Sequence, residues 1–302
     1  MNLYQLLVKN MNTVTSGQEL SQELNMTRAG VWKGIKQLRD QGLIIDSLQS
    51  QGYQLKSTQH LLNKKHLESL LPNTYIEIHD SLGSTNEYAK GITQQPALII
   101  TSHQTDGKGR RGKSFYSPKD KGLYMSYVPS GDYSIEDTGM LTIRSALALQ
   151  MAISHYFKIE TEIKWLNDIY LRDRKLAGIL IEGSVELQTL TYDQVIIGIG
   201  LNLEETEVPK DLEMIYGSLN LKNYNLFELV QSFVENFSSL KEVDLIPLYR
   251  SKSMIFGRHV ILDQDNKVYK AIDIDNKGAL IIENEKGERN IITHGEVSLK
   301  LI

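Results

Sequence analysis

The apolar residues of this 302-residue chain change period twice along its length, so neither one repeated unit nor one ordinary hydrophobic core can hold all of it. Residues 16–42 carry the helical period. SGQELSQELN opens with Ser16 as N-cap and Glu19 three residues on, the reciprocal pair of a capping box, and Leu20 and Leu24 share a face. After Asn25 and Met26, TRAGVWKGIKQLRDQG forms a second helix capped by Thr27, with Val31, Ile35 and Leu38 on one stripe and Gly42 as its stop. LIIDSLQSQGYQL then reads as a hairpin around a polar, glycine-containing turn. From Tyr75 the strands TYIEIHDSL, ALIITSHQT, GLYMSYVP, EIKWLND, LAGILIEGS and QVIIGIGLNL alternate with helical stretches such as DTGMLTIRSALALQMAISHYF and NLFELVQSFVENFSSL. From Tyr249 only short strands remain (FGRHVILD, KVYKAIDID, GALIIEN, NIITHGEVSLKLI), separated by DNK, DNKG and EKGE turns. The expected fold class is α+β, with a winged helix-turn-helix over residues 1–58, a mixed-sheet domain over 64–248 and a small β-barrel over 249–302. A polar stretch over 57–65 joins the first two.

The formal charge is −4, yet residues 1–56 carry six basic side chains against four acidic ones, a net of +2 that leaves −6 for the rest. Helix, tight turn, basic helix and hairpin is the order in which a second helix enters the DNA major groove while the wing touches the backbone. On that reading Gly17, Thr27, Arg28, Lys33 and Lys36 face DNA, and two such heads read two half-sites. The alternative is a module packed against protein, with Arg28, Lys33, Lys36 and Arg39 as a solvated face. Hydrophobic residues at 41% and charged residues at 23% exclude collagen-like and largely disordered classes. Cysteine is absent, which excludes disulfides, thiolate zinc sites and thiol nucleophiles. No apolar run approaches the roughly 18 residues of a membrane span, and MNLYQLLVKN lacks signal-peptide order. A cytoplasmic chain with no membrane partner is expected.

The densest chemistry lies at Gln104–Lys113, QTDGKGRRGK, where three glycines and four cations follow an apolar strand. Glycine lets backbone approach a ligand closely, and cations with exposed amides suit phosphate oxygens. The spacing lacks the Gly-Lys-Ser/Thr ending of a Walker loop, and no helix follows to complete a dinucleotide fingerprint. A ligand-free surface loop is the other reading. Upstream, Gly83-Ser84-Thr85-Asn86 either caps the helix NEYAKGI or hydrogen-bonds a polar ligand ring. Lys164-Trp-Leu-Asn-Asp168 and Asp173-Arg-Lys175-Leu-Ala-Gly178 read as two strands around a DRK turn, with small residues beside Lys175 leaving room for a ligand. Asn167 and Asp168 suit a hydrated divalent metal beside phosphates, or an Asx-capped turn. In Gly198-Ile-Gly-Leu-Asn202 the strand glycines point to close approach of another group, with Asn202 as a polar contact.

STN, QTDGKGRRG, KWLNDIYLRDRKLAGILIE and GIGLN in this order, behind a winged helix, resemble the bifunctional biotin protein ligase and biotin operon repressor family of bacteria. The resemblance runs over essentially the whole chain and is specific, because lipoate ligases share the general fold but not these motifs. It implies a central domain of the biotin/lipoate ligase type, an SH3-like C-terminal barrel, ATP and Mg2+ as cofactors, and biotinyl-5′-AMP as intermediate and corepressor. It also implies three partners: a biotin carboxyl carrier domain, operator DNA and, when adenylate is bound, a second copy of the chain. Ser84, Thr85, Asn86 and Gln104 match positions that meet the biotin rings, and Gly107, Lys108, Gly109 and Arg110 match the loop that closes over biotin and adenylate. Arg110 corresponds to the arginine whose loss lets adenylate escape, and Lys175, beside Gly178, to the lysine on the biotin carboxylate and adenylate. Arg110 and Lys175 are therefore the catalytic candidates. Arg110, Arg111, Phe115, Asn167, Lys175 and Asn202 match the nucleotide side, and Asp168 a metal-linked acid. Three positions depart from the family pattern: Phe115 stands for a tryptophan, Leu166 for a proline and Lys108 for an arginine, bearing on nucleotide affinity and on loop ordering by ligand. The rival readings are a biotin-sensing transcription factor without ligase activity and a lipoate protein ligase.

Overall fold

Asn2 accepts the Gln5 amide and Gln5 accepts the Asn2 amide, both at 2.9 Å, a capping box that starts α1 (Leu3–Lys9). The sequence reading begins its helices only at Ser16, so α1 is an addition whose signal is the Asn2–Gln5 spacing. The computed structural model describes residues 2–11, 13–40, 43–57, 64–186, 188–220, 226–293 and 297–299, which form two units: residues 1–67 with 221–228, and 68–220 with 229–302. In the first unit, Ser16 and Glu19 cap α2 (Gly17–Glu23) reciprocally at 3.1 and 2.9 Å, and Thr27 accepts the Gly30 amide at 3.0 Å to start α3 (Arg28–Asp40). Gly42, the expected stop of α3, and residues 58–63 of the expected connection lie outside the described residues. The antiparallel pair β1 (Ile44–Leu48) and β2 (Gly52–Ser57) is the wing. Gly52 has φ 139, and a Cβ there would lie 2.2 Å from the Thr15 carbonyl oxygen, so glycine is required where the wing meets the strand-like residue before α2. Leu6, Leu7, Leu20, Val31, Ile35 and Leu55 form the core of this unit. α4 (Lys64–Leu70) follows.

The second unit is built on one large sheet. Its elements are β3 (Tyr75–His79), α5 (Thr85–Ala89), β4 (Ala97–Thr101), β5 (Gly122–Val128), β6 (Tyr133–Ser134), α6 (Thr138–Phe157), β7 (Glu162–Lys164), β8 (Asp168–Leu171), β9 (Arg174–Glu186) and β10 (Thr191–Asn202), then α7 (Leu226–Ser239), whose residues through Glu228 belong to the first unit, and α8 (Leu245–Lys252). The strand order is β3-β4-β5-β10-β9-β8-β7, with β6 added to β10, and among these pairs only β3 and β4 run parallel. α5 lies against β4, β5 and β10, and α6 against β7, β8 and β9. The near-continuous burial of β4, β5 and β10 explains why those strands read as unbroken apolar runs. EIKWLND, expected as one strand, breaks at Lys164. Trp165–Asn167 form a turn, with a cis Trp165–Leu166 peptide, held from both sides: Trp165 Nε1 donates to the Gly278 carbonyl at 3.0 Å and Asn167 Nδ2 to the Ile179 carbonyl at 2.7 Å.

β11 (His259–Leu262), β12 (Lys267–Ile274), β13 (Leu280–Glu283), β14 (Arg289–Ile292) and β15 (Val297–Leu299) form an antiparallel sheet in the order β14-β13-β12-β11-β15 among the described residues. NIITHGEVSLKLI is thus two strands at opposite ends of this sheet rather than one. The turn between β12 and β13 docks on the start of α6: a Cβ on Gly139 would lie 2.3 Å from the Lys277 carbonyl oxygen, and Lys277 pairs with Glu136 at 2.9 Å.

Candidate active site

Missing side chains open the site. Gly178 on β9 and Gly200 on β10 are cross-strand partners, and Gly198 lies on the same face two residues back. A Cβ on Gly198 would lie 2.4 Å from Asn86 Oδ1, and one on Gly200 2.2 Å from Phe115 Cε1. This bare patch is the floor of a cavity of about 320 Å³.

One wall is the start of α5. Asn86 is buried, its Oδ1 accepting from the Ser126 hydroxyl at 2.6 Å and its Nδ2 donating to Glu182 at 2.8 Å. Ser84 occupies the N-cap position without capping through its side chain. Gln104 supplies the cap instead: its Oε1 accepts the Thr85 amide at 2.9 Å and the Thr85 hydroxyl at 3.2 Å, while its Nε2 donates to Ser117 at 3.0 Å. The simple capping reading of Ser84–Asn86 is therefore replaced by a shared network that orients Gln104.

The glycine-rich loop is the second wall. The Phe115 amide donates to the Gly107 carbonyl at 2.7 Å, and a Cβ on Gly107 would lie 2.4 Å from the Phe115 carbonyl oxygen, so Gly107 sits behind the wall. Gly109, Arg110 and Phe115 line the cavity, and Arg110 Nη1 donates to Asn167 Oδ1 at 3.0 Å. Lys108 also lines it but pairs with Glu87 at 2.6 Å, and the Lys108 and then the Lys90 ammonium hold the Glu87 carboxyl below its ordinary range. Arg111 is exposed, has φ 56 and is off the cavity.

Lys175 and Asp168 face each other across the β8–β9 hairpin at 2.7 Å. The Lys175 backbone is pinned by a crossing segment, its amide donating to the Ile215 carbonyl at 2.7 Å and its carbonyl accepting from Gly217 at 2.8 Å. Asn202 is buried off the cavity, where its Nδ2 donates to the Gly217 carbonyl at 2.9 Å and so supports that segment.

Five cations line the cavity, Lys108, Arg110, Lys113, Lys164 and Lys175, against two carboxylates, Asp168 and Asp263. Such a set favours a polyanion, while the glycine floor and Ile179, Ile199 and Phe115 accept an apolar body. Sequence reasoning missed Lys113 and Lys164, although each stands in a motif it singled out. It missed Leu212 and Ile215 of the crossing segment, and Asp263 and Val297 of the C-terminal sheet, for which no sequence signal existed. No three His, Asp or Glu side chains converge as a metal site among the described residues, and Asp168 is already engaged by Lys175.

In the first unit Thr27, Arg28, Lys33 and Lys36 are exposed, Arg28 donating to Gln18 at 3.0 Å, whereas Gly17 is half-buried near Tyr53. Arg39 is not a free member of that face, since its Nε donates to the Ile45 carbonyl at 2.8 Å and Nη2 to Ser47 at 2.8 Å. No helix among the described residues is long and apolar enough to cross a membrane.

Residues 1–54 match the HTH domain, 78–202 the biotin/lipoate A/B protein ligase family and 255–300 the biotin protein ligase C-terminal domain. Fold and cavity thus define a protein ligase of the biotin/lipoate class with a helix-turn-helix head. The bifunctional ligase/repressor BirA of Escherichia coli is 30% identical, over 94% of this chain and 92% of its own length; that of Bacillus subtilis is 28% identical over 96% and 95%. The biotin protein ligase of Aquifex aeolicus, solved in complex with biotin and ATP, superposes with a TM-score of 0.63 at 25% identity, covering 75% of this chain and 98% of that one. The chain belongs to the bifunctional ligase/repressor family of biotin protein ligases.

Proposed function

We propose that this protein activates biotin with ATP, transfers it to a lysine of a biotin carboxyl carrier domain, and represses transcription through its head when loaded with biotinyl-5′-AMP. The observation that carries the reading is the cavity itself, a glycine-floored, partly apolar slot ringed by five cations. A carboxylate does not acylate an amine at neutral pH, so it must first be activated. The biotin carboxylate attacks the α-phosphate of ATP, the bond to pyrophosphate breaks, and the mixed anhydride forms. The acceptor lysine then attacks the acyl carbon, AMP leaves, and the amine proton passes to solvent. Ser84, Thr85, Asn86 and Gln104 hold the biotin rings; Lys175 and Arg110 meet carboxylate and phosphate and offset developing charge. Phe115 and Asn167 serve the nucleotide. Arg111 and Asn202, off the cavity, contribute through the loop and the crossing segment. Gly107–Arg110 closes over the intermediate and excludes water.

Magnesium enters on the ATP phosphates, which is how this ion is usually held. Among the described residues no three His, Asp or Glu side chains converge as a resident metal centre. The functional modules on this reading are residues 1–58, 64–248 and 249–302, and the loaded species is a homodimer.

One assay tests the enzyme: the protein, ATP and magnesium are mixed with either biotin or lipoate and a carboxylase acceptor domain, and acceptor mass is measured. A single biotinyl addition is expected. Lipoyl addition, or an unchanged mass with both acids, overturns the reading.

A further inference from the structure

We propose that Trp32 reads thymine methyl groups in the DNA major groove, which makes it a specificity-determining residue of the head. The inference rests on the DNA-binding reading above and goes beyond it, since that reading names only cations, a cap and a glycine. Trp32 is 59% exposed, more than any other large apolar side chain described in the first unit. Its neighbour Val31 and the next stripe residue Ile35 face the core at 0% and 1% exposure, so Trp32 lies about 100° round the helix from the packed stripe. Arg28, Trp32 and Lys36 are four residues apart and form one ridge along α3, with exposed Ala29 and Lys33 beside it. Apart from its single N–H donor the indole presents apolar surface, whereas the cations flanking it select a polyanionic partner. Duplex DNA resolves that conflict. Its backbone takes the cations, and the apolar group that its major groove presents is the thymine C5 methyl. A protein partner for this ridge needs acidic side chains on both sides of an apolar socket, a more demanding match.

The experiment uses the full chain with biotin, ATP and magnesium to select sites from a random-sequence duplex library. In the enriched duplex each thymine is then replaced in turn by uracil, which deletes only the methyl group. Uracil at one or two positions is expected to weaken wild-type binding roughly three- to fivefold, as the loss of one buried methyl implies. Trp32→Ala is expected to bind thymine and uracil duplexes equally at those positions. It should keep the wild-type salt dependence, because the cations remain, and the wild-type melting temperature, because the side chain is exposed. Trp165, the other tryptophan, lines the ligand cavity, so only a DNA-induced change in tryptophan emission that is lost in Trp32→Ala reports on Trp32. Wild-type binding insensitive to every uracil, or a Trp32→Ala protein with the parent's sensitivity, overturns the inference while leaving DNA binding intact. The same holds if Trp32→Ala weakens only self-association in sedimentation. If the wild type enriches no duplex at all, the DNA-binding reading fails first and this inference with it.

Discussion

Gly198 and Gly200 stand two residues apart on one strand face, yet a methyl group at each would meet very different neighbours. At Gly198 it presses on Asn86, whose amide is pinned by Ser126 and Glu182. That amide cannot retreat without leaving buried polar atoms unsatisfied, at a cost of about 1–3 kcal/mol. At Gly200 the methyl meets the Phe115 ring, which is half-buried and carried on a loop, so it can swing aside. Gly198→Ala is therefore expected to lower Tm by several degrees, as overpacking of about 1–3 kcal/mol implies. Gly200→Ala should leave Tm nearly unchanged and raise the KM for biotin or ATP instead. Thermal melts and steady-state kinetics on both variants decide it, and equal losses of Tm contradict the distinction. Neither neighbour was legible beforehand. The GIGLN motif announces that something approaches the strand, but Asn86 and Phe115 reach it from over 80 residues away, through contacts that no local pattern encodes.

Two kinds of cation serve the winged head. Arg28, Lys33 and Lys36 are exposed on α3, whereas Arg39 fastens the wing by donating to Ile45 and Ser47 on β1. They should fail differently. Neutralising Arg28 and Lys36 together is expected to flatten the slope of log affinity against log salt by roughly two, since each phosphate contact contributes about 0.9. Arg39→Ala is expected to weaken operator binding several-fold with the slope kept, because a loosened wing lowers the fraction of heads in binding geometry without removing a phosphate contact. Titrations at several salt concentrations separate the cases, and a flattened slope for Arg39→Ala places that residue on DNA instead. At this scale much was legible. The Ser16–Glu19 and Thr27 caps and the wing follow from local hydrogen-bonding chemistry, which acts within four residues. KWLND was misread as strand because its turn is held by Gly278 and Ile179, distant partners of Trp165 and Asn167. NIITHGEVSLKLI was misread because two separated strands, β13 and β11, claim its halves.

For the whole molecule, the net charge of −4 resolves into +2 on residues 1–56 and −6 elsewhere, so only one end of the chain suits DNA and a lone head has little affinity to spare. On the proposed function, occupancy of an operator depends on pairing two heads, and the chemistry of the cavity offers a signal for pairing. Only biotin and ATP together, on that same function, yield the adenylate, the ligand expected to span both the glycine floor and the ring of cations. That ligand is then expected to reach the 104–115 loop and the segment that pins Lys175, and to order them more fully than either substrate alone. If the ordered form is the one that self-associates, the adenylate must tighten dimerisation, and dimerisation must tighten adenylate binding by the same factor. A coupling of about 1–3 kcal/mol corresponds to roughly 5- to 150-fold in either equilibrium. Sedimentation equilibrium with no ligand, biotin, ATP, and both with magnesium is expected to show a shift of that size only in the last case. The reciprocal measurement is dissociation of labelled adenylate, which should slow as protein concentration rises through the dimer range. Dimerisation indifferent to ligand, or adenylate release independent of protein concentration, breaks the link between catalysis and repression while leaving both half-reactions in place.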